Sequence, residues 1–179
     1  GDAWDSLPVR LVRLQERLSC RFANHVITVT ELWRESLVKR GTPAAKCSVV
    51  MNVADDRLFH QRPPSEFPSD GSLHLIYHGN LTYRYGLDLA LYAVAQASVQ
   101  VPRLRLTIHG RGEFLADLEH LATELGLQET VSFSTRLLPM DEPPRLLASA
   151  DVGLVPYRRD PFTDGILPTK LMEYAAFGL

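Results

Sequence analysis

Basic side chains and glycines follow four short apolar runs in the second half of the chain. The cations in these segments include Arg84, Arg111, Arg136 and Lys170. Glycine-containing loops that lead into helices present free N–H groups and the positive end of the helix dipole, and both features favour anions. Because the net charge of the protein is −2, a local group of basic residues is more informative than it would be in a basic chain. The pattern predicts a site for a pyrophosphate group.

Several of these residues also have simpler interpretations. Lys170 and Glu173 are three residues apart on a predicted helix, so they could form a surface ion pair contributing less than about 0.5 kcal/mol. Arg84 could be a solvated loop side chain. His78 and His109 each precede a glycine at a strand end, where each could act as a base or be a partly buried histidine with satisfied hydrogen bonds. The "GRG" at 110–112 is not a complete dinucleotide-binding fingerprint, and the chain contains no "GKS" or "GKT" phosphate loop.

The elements that must position these residues alternate regularly. Apolar runs predict strands at 73–79, 104–110, 130–134 and 150–157, and helical spacing predicts helices at 86–99, 113–125, 141–149 and 168–177. Such alternation is typical of a parallel sheet covered by helices on both faces. Right-handed crossovers place the carboxyl ends of all strands at one edge, where such sheets bind ligands. In the last helix we expect Leu171, Met172, Ala175 and Phe177 to face the sheet.

The first third of the chain predicts a smaller set of elements. Leu11, Leu14, Leu18 and Phe22 have helical spacing within a predicted helix at 7–24, which is followed by strands at 25–30 and 47–52 around a helix at 31–41. Residues 61–72 are rich in Pro, Ser and Asp and predict a linker. We therefore divide the chain into domains at 1–60 and 73–179, joined by this linker.

Composition narrows the possible functions. The 179 residues are 45% hydrophobic and 22% charged, which is typical of a globular protein with a core and argues against nucleic-acid binding through bulk charge. No apolar run approaches the roughly 20 residues that span a membrane. Two unpatterned cysteines, Cys20 and Cys47, favour reduced thiols in a cytoplasmic protein. No metal-ligand spacing is visible, so we expect neither a metal nor a cofactor.

An ordered series of motifs resembles one enzyme family. "HVITVTELWRESLVKRG" with "KCSVVMNVADDRLF" resembles the hinge region of the GT-B glycosyltransferases of the large retaining family 4, although Val53 and Ala54 replace the usual Gly and Val. "YHGNLTYRYGLDLAL" resembles the family's "GRL…KGLD" segment, with Asn80 in place of Arg and Tyr85 in place of Lys. "LTIHGRGEF", "VSFSTR" and "LLASADVGLVPYR" follow in the family's order. The resemblance covers about six-sevenths of the chain.

This resemblance implies two Rossmann-like domains facing across a cleft, the second of which binds a nucleoside-diphosphate sugar. By resemblance, Gly79, Arg84 and Lys170 face the pyrophosphate and Arg136 lies beside the base, whereas Arg111 is placed at this edge by the loop pattern alone. Glu173 matches the second acid of the family's acid-x7-acid motif, which holds the ribose hydroxyls. The first acid is replaced by Gly165, so either Asp164 or the backbone N–H groups of Gly165 and Ile166 would contact the sugar.

The implied activity is transfer of a hexose from a UDP-sugar or GDP-sugar to a hydroxyl acceptor, in cell-surface glycan or glycolipid synthesis peripheral to the membrane. Two alternatives stay open: a nucleotide-sugar epimerase of the same fold, and a non-catalytic nucleotide-binding or interaction module. The resemblance places the family's catalytic-site histidine outside these 179 residues, so the catalytic residues are unknown and we expect this piece alone to be inactive. We also expect a C-terminally incomplete sheet, with self-association through its open edge.

Overall fold

The computed structural model describes residues 6–61, 68–137, 139 and 142–179. They form two compact units. The first contains the residues up to Asn52 together with Asp164–Leu167, and the second contains Val53–Thr163 and Pro168–Leu179. Residues 62–67 of the predicted linker lie outside the described residues, and the domain limits at 60 and 73 stay predictions.

The first unit contains two helices and a two-stranded parallel sheet. Its elements are α1 (Leu7–Phe22), β1 (Val26–Thr28), α2 (Glu31–Lys39) and β2 (Cys47–Val49), and Val26 pairs with Cys47. The Thr30 hydroxyl caps α2 by accepting a hydrogen bond from the Trp33 N–H. All four elements were predicted, with ends that differ by at most three residues.

The second unit is built on a four-stranded parallel sheet. Its strands are β3 (Ser72–His78), β4 (Arg103–His109), β5 (Val131–Ser134) and β6 (Val152–Gly153), in the order β5-β4-β3-β6. Its helices are α3 (Leu87–Ala97), α4 (Leu115–Glu124), α5 (Pro143–Ala148) and α6 (Thr169–Phe177). The predicted α/β class and parallel sheet are confirmed. The strand predicted at 150–157 is shorter in the structure than in the prediction. The chain leaves the sheet after Leu154, and Tyr157 stacks on Tyr85 instead.

Helices cover the sheet unevenly. One face packs against α3 and α4 through buried side chains that include Tyr77, Leu106 and Ile108. On the other face, only Ile76 of β3 lies in a buried cluster, with α5 and α6. Arg103 and Arg105 of β4 are exposed on that face, and with neighbouring polar residues of β3 and β5 they line a cavity of about 740 Å³. Within the described residues, the prediction of full cover on both faces is therefore wrong over β4 and β5, where the outward positions are polar.

Helix α6 buries a stripe that only partly matches the prediction: Phe177 is buried as predicted and Met172 is half-buried. Leu171 is 40% exposed and Ala175 is also exposed, whereas Lys170, Tyr174 and Phe177 are 6%, 2% and 7% exposed. Tyr174 and Phe177 pack in the cluster around Ile76, and the helix ends at Gly178 in the left-handed conformation. The apolar pattern predicted that Leu171 would be buried. In the structure the side chain of Lys170 is buried and Leu171 is exposed.

Candidate functional site

The carboxyl ends of β3 and β4 meet at one edge of the sheet and enclose a cavity. The Gly79 N–H donates a hydrogen bond of 2.9 Å to the His109 carbonyl, which holds the two loops together. A cavity of about 420 Å³ opens here; it is lined by His78, Gly79, Asn80, His109, Gly110, Arg111, Arg136, Leu137 and Pro143. The predicted ligand edge is therefore a concave surface that holds three of the predicted site residues.

Lys170 extends from the first turn of α6 into a group of tyrosine rings. Its Nζ lies 3.7 Å from the centre of the Tyr77 ring, and 5.3 and 5.4 Å from those of Tyr85 and Tyr157. Within the described residues this buried ammonium has no hydrogen-bond partner. Burial lowers the pKa of Lys170 to about 7, although the nearby Glu173 carboxylate opposes the change. The rings attract the cation without neutralising it, so its charge remains available to an anion.

Glycine at position 79 is required by both conformation and space. Its φ is +128°, a region that residues with a side chain rarely adopt. A Cβ added to Gly79 would lie 2.9 Å from Lys170 Nζ. The absence of a side chain thus brings the β3 loop against the ammonium, next to the cavity.

Glu173 lies one helical turn after Lys170 and faces His78. Its Oε2 is 3.0 Å from His78 Nε2, and the two side chains are 19% and 16% exposed. Neither atom has a hydrogen bond in the described part of the chain, despite this short separation. The interpretation of Lys170 and Glu173 as an exposed ion pair is wrong, because both side chains are largely buried. The interpretation of His78 as a fully satisfied histidine is wrong as well.

Two arginines also line the cavity. Arg111 donates through Nε to the Thr135 carbonyl at 2.6 Å, and Arg136 forms an ion pair of 2.5 Å with Glu142. His109 Nδ1 lies 3.0 Å from the Ser134 hydroxyl. Burial lowers the pKa of His109, and the charges of His78 and Arg136 add to this effect. These lining residues therefore include two cationic side chains and a histidine whose lowered pKa favours its neutral form.

Arg84, the remaining predicted cation, has other partners. Its Nε lies 3.2 Å from Asp160 Oδ2, and its guanidinium lies 4.7 Å from the centre of the Phe162 ring. Asp160 also accepts hydrogen bonds from the N–H groups of Phe162 and Thr163. Arg84 is thus held in a loop and does not line the cavity described above.

The three residues expected to contact a sugar, Asp164, Gly165 and Ile166, belong to the first unit. The Thr30 hydroxyl donates a hydrogen bond of 2.8 Å to the Gly165 carbonyl. A Cβ on Gly165 would lie 2.7 Å from Trp33 Nε1 and Cε2. The indole ring occupies the space that an acidic side chain at 165 would need.

The structure therefore brings together Gly79, Arg111, Arg136, Lys170 and Glu173 within the second unit. The sequence interpretation missed the tyrosines around Lys170 and the contact between His78 and Glu173. An available signal was the position of Tyr77, Tyr85 and Tyr157 beside the ends of strands or the start of a helix. Among the described residues, no group of three His, Cys, Asp or Glu side chains could hold a metal ion. Every helix in the described ranges is too short or too polar to cross a bilayer.

Comparison with known proteins identifies the family. The model of the family described as "Glycosyl transferases group 1" matches residues 61–179. WcaL of Escherichia coli (strain K12), named for colanic acid biosynthesis, is 30% identical over 156 residues, which are 86% of this chain and 37% of WcaL. A GDP-mannose-dependent phosphatidylinositol monomannoside mannosyltransferase of Mycolicibacterium smegmatis is 38% identical over 78 residues, covering 44% of this chain and 20% of that enzyme.

A solved structure shows the same fold. HepE of Anabaena in complex with UDP superposes with a TM-score of 0.72 at 21% identity, covering 96% of this chain and 48% of that chain. The chain thus spans about a third to a half of the length of these longer proteins. The family match over two thirds of the sequence and the parallel α/β architecture lead to one conclusion: the chain belongs to the glycosyl transferases group 1, with the Rossmann-like fold of GT-B glycosyltransferases.

Proposed function

We propose that this chain is the nucleotide-sugar-binding part of a retaining glycosyltransferase of family 4. The complete protein would move a hexose from a UDP-sugar or a GDP-sugar to a hydroxyl acceptor during cell-surface glycan or glycolipid synthesis. The names of WcaL and of the mannosyltransferase support the glycan or glycolipid context. The UDP bound to HepE and the GDP-mannose dependence of the second relative support the two donor classes.

One observation carries the proposal: the buried Lys170 ammonium has no hydrogen-bond partner in the described residues and lies against Gly79, which lines the cavity. A diphosphate leaving group develops negative charge as its bond to the sugar breaks, and positioned cations stabilise that charge. We assign this role to Lys170, with Arg111 and Arg136 at the cavity rim and Arg84 as a peripheral cation. No metal or cofactor is needed in this scheme. Glu173 accepts hydrogen bonds from the ribose hydroxyls.

A second candidate is a non-catalytic nucleotide-binding module. It is favoured by Gly165, where the Trp33 ring leaves no space for an acidic side chain. In the transferase scheme, the backbone N–H groups of Gly165 and Ile166, or the Asp164 carboxylate, contact the donor sugar instead.

Titration calorimetry with UDP, GDP and ADP tests nucleotide binding by this chain. We expect UDP or GDP to bind and ADP to bind more weakly; the absence of binding by all three contradicts the proposal. The complete protein in a cytoplasmic extract of its host, supplied with UDP-sugars or GDP-sugars, should release nucleotide only with an acceptor present. Formation of an epimerised sugar nucleotide instead would identify an epimerase. The anomeric configuration of the product, determined by NMR, tests retention.

A further inference from the structure

His78 lines the cavity but is not among the residues to which the proposed function assigns a contact with the donor. It ends β3, and its ring contacts Tyr174 edge-on, with 5.3 Å between ring centres. Its backbone N–H donates to the Tyr174 hydroxyl at 3.2 Å. The ring contact and the backbone hydrogen bond tie His78 to Tyr174 of α6, and His78 also lines the cavity.

The ring presents a polar atom to Glu173. His78 Nε2 and Glu173 Oε2 are 3.0 Å apart and both are buried, yet neither forms a hydrogen bond within the described residues. Burying a polar group without a partner typically costs about 1–3 kcal/mol. Two such atoms only 3.0 Å apart are available to each other, so a change in the orientation of either side chain joins them in a hydrogen bond.

We infer that His78 is a positioning residue that holds the Glu173 carboxylate toward the ribose hydroxyls of a nucleoside diphosphate. His78 engages one carboxylate oxygen and leaves the other to accept from the ligand. This inference rests on the proposed function, because it takes the ligand to be a nucleotide with a free ribose. It differs from a general base role, since His78 acts through Glu173 and not on the reacting atoms.

The test compares ribose recognition in matched variants. Wild type, His78→Leu, His78→Gln and Glu173→Gln are titrated with UDP and GDP and with the 2′,3′-dideoxy forms of both. We expect wild type to prefer the ribonucleotide by about tenfold or more, the range of a hydrogen bond to a charged group. Glu173→Gln and His78→Leu should both reduce this preference severalfold, and His78→Gln should recover part of it because its amide reaches near the Nε2 position.

His74→Gln is the control, since His74 lies on the same strand and face but bonds Ser149 and Thr107 at distances of 2.6 and 2.8 Å. Its ribose preference should equal that of wild type. An unchanged preference in His78→Leu, or loss of preference in His74→Gln alone, overturns the inference.

A second measurement does not depend on nucleotide. Denaturant unfolding of wild type, His78→Leu, Glu173→Gln and the double variant gives a double-mutant cycle. Non-additive effects are expected if His78 holds Glu173, and additive effects overturn the pairing. If wild type binds neither nucleotide, the proposed function and the ribose role of the pair both fail, while the cycle still decides whether the two side chains are coupled.

Discussion

The ammonium of Lys170 lies 3.7 Å from the centre of the Tyr77 ring and is buried without a hydrogen-bond partner in the described residues. A cation–π contact returns only part of the hydration energy that a buried ammonium loses. The site therefore holds a charge that destabilises the folded protein, a cost that the diphosphate of the proposed function would relieve. Such a cost is typical of residues retained for function.

The first prediction concerns stability and pH. The pKa of Lys170 is lowered from 10.5 to about 7 in the folded chain, so between these values the unfolded chain binds the extra proton. The free energy of unfolding then rises with pH across this window, by at most about 1.4 kcal/mol per pH unit, and the destabilisation is complete below about 7. Lys170→Met should be more stable than wild type at pH 6, with a difference that shrinks towards pH 9. Urea unfolding at pH 6, 7, 8 and 9 measures it, and a constant difference contradicts the pKa.

The second prediction links nucleotide binding to a proton. At pH 8 Lys170 is largely neutral in the free protein, and a bound diphosphate stabilises its ammonium form. Binding should therefore take up nearly one proton, which calorimetry detects as an apparent enthalpy that depends on the ionisation enthalpy of the buffer. Lys170→Arg is the control, because an arginine keeps its charge throughout. Equal apparent enthalpies for wild type in phosphate and Tris contradict the assignment.

The third prediction concerns Gly79. Gly79→Ala introduces a Cβ 2.9 Å from Lys170 Nζ at a φ of +128°, and we expect it to weaken UDP or GDP binding at least tenfold. Gly71→Ala is the matched control, since Gly71 also has a positive φ of +72° but a Cβ there meets nothing within 4 Å. Both variants should lose about 1–2 kcal/mol of stability through backbone strain. Similar nucleotide affinities in the two variants would show that the space beside Lys170 is unimportant.

The fourth prediction concerns Glu173 itself. Glu173→Ala should weaken nucleotide binding by about 1.5–3 kcal/mol, the range of a hydrogen bond to a charged group. Glu119→Ala, at an exposed position of α4, should leave affinity unchanged. Circular dichroism confirms that both variants fold before titration, and wild-type affinity in Glu173→Ala removes this carboxylate from the site.

The fifth prediction concerns an ion pair that holds the loop after β6. Arg158 contacts both carboxylate oxygens of Asp88 at 2.6 Å, with side chains 23% and 14% exposed. Asp88→Asn should cost about 1–3 kcal/mol of stability, because it leaves a partly buried guanidinium without its charged partner. Asp70→Asn removes the exposed partner of Arg103 and should cost less than about 1 kcal/mol. Urea unfolding ranks the two, and equal losses contradict the difference in burial.

The sequence predicted the strands, the helices and the sheet edge well, because each depends on local periodicity and chain connectivity. It predicted Lys170 and Glu173 as neighbours on one helix, but it did not predict that Lys170 is buried. That burial depends on three tyrosines from separate segments, and periodicity assigns the interior to apolar residues such as Leu171. The sequence also did not predict that Arg84 lies away from the cavity. Arg84 pairs with Asp160, which is 76 residues away in the chain, and such a tertiary contact leaves no local signal. The alternation of strands and helices likewise does not show whether helices cover both faces of a strand. In β4 one face is buried and the other is polar.

The contact between Trp33 and Gly165 has a consequence for how this chain can change. A mutation that adds an acidic side chain at 165 meets the indole ring 2.7 Å away, so it is harmful while Trp33 is present. Trp33 is half-buried, so its replacement by a smaller residue loses the packing of the indole ring against Gly165. The two positions are therefore epistatic: an acidic side chain at 165 is tolerated only after residue 33 has become smaller, so the order of the two substitutions matters.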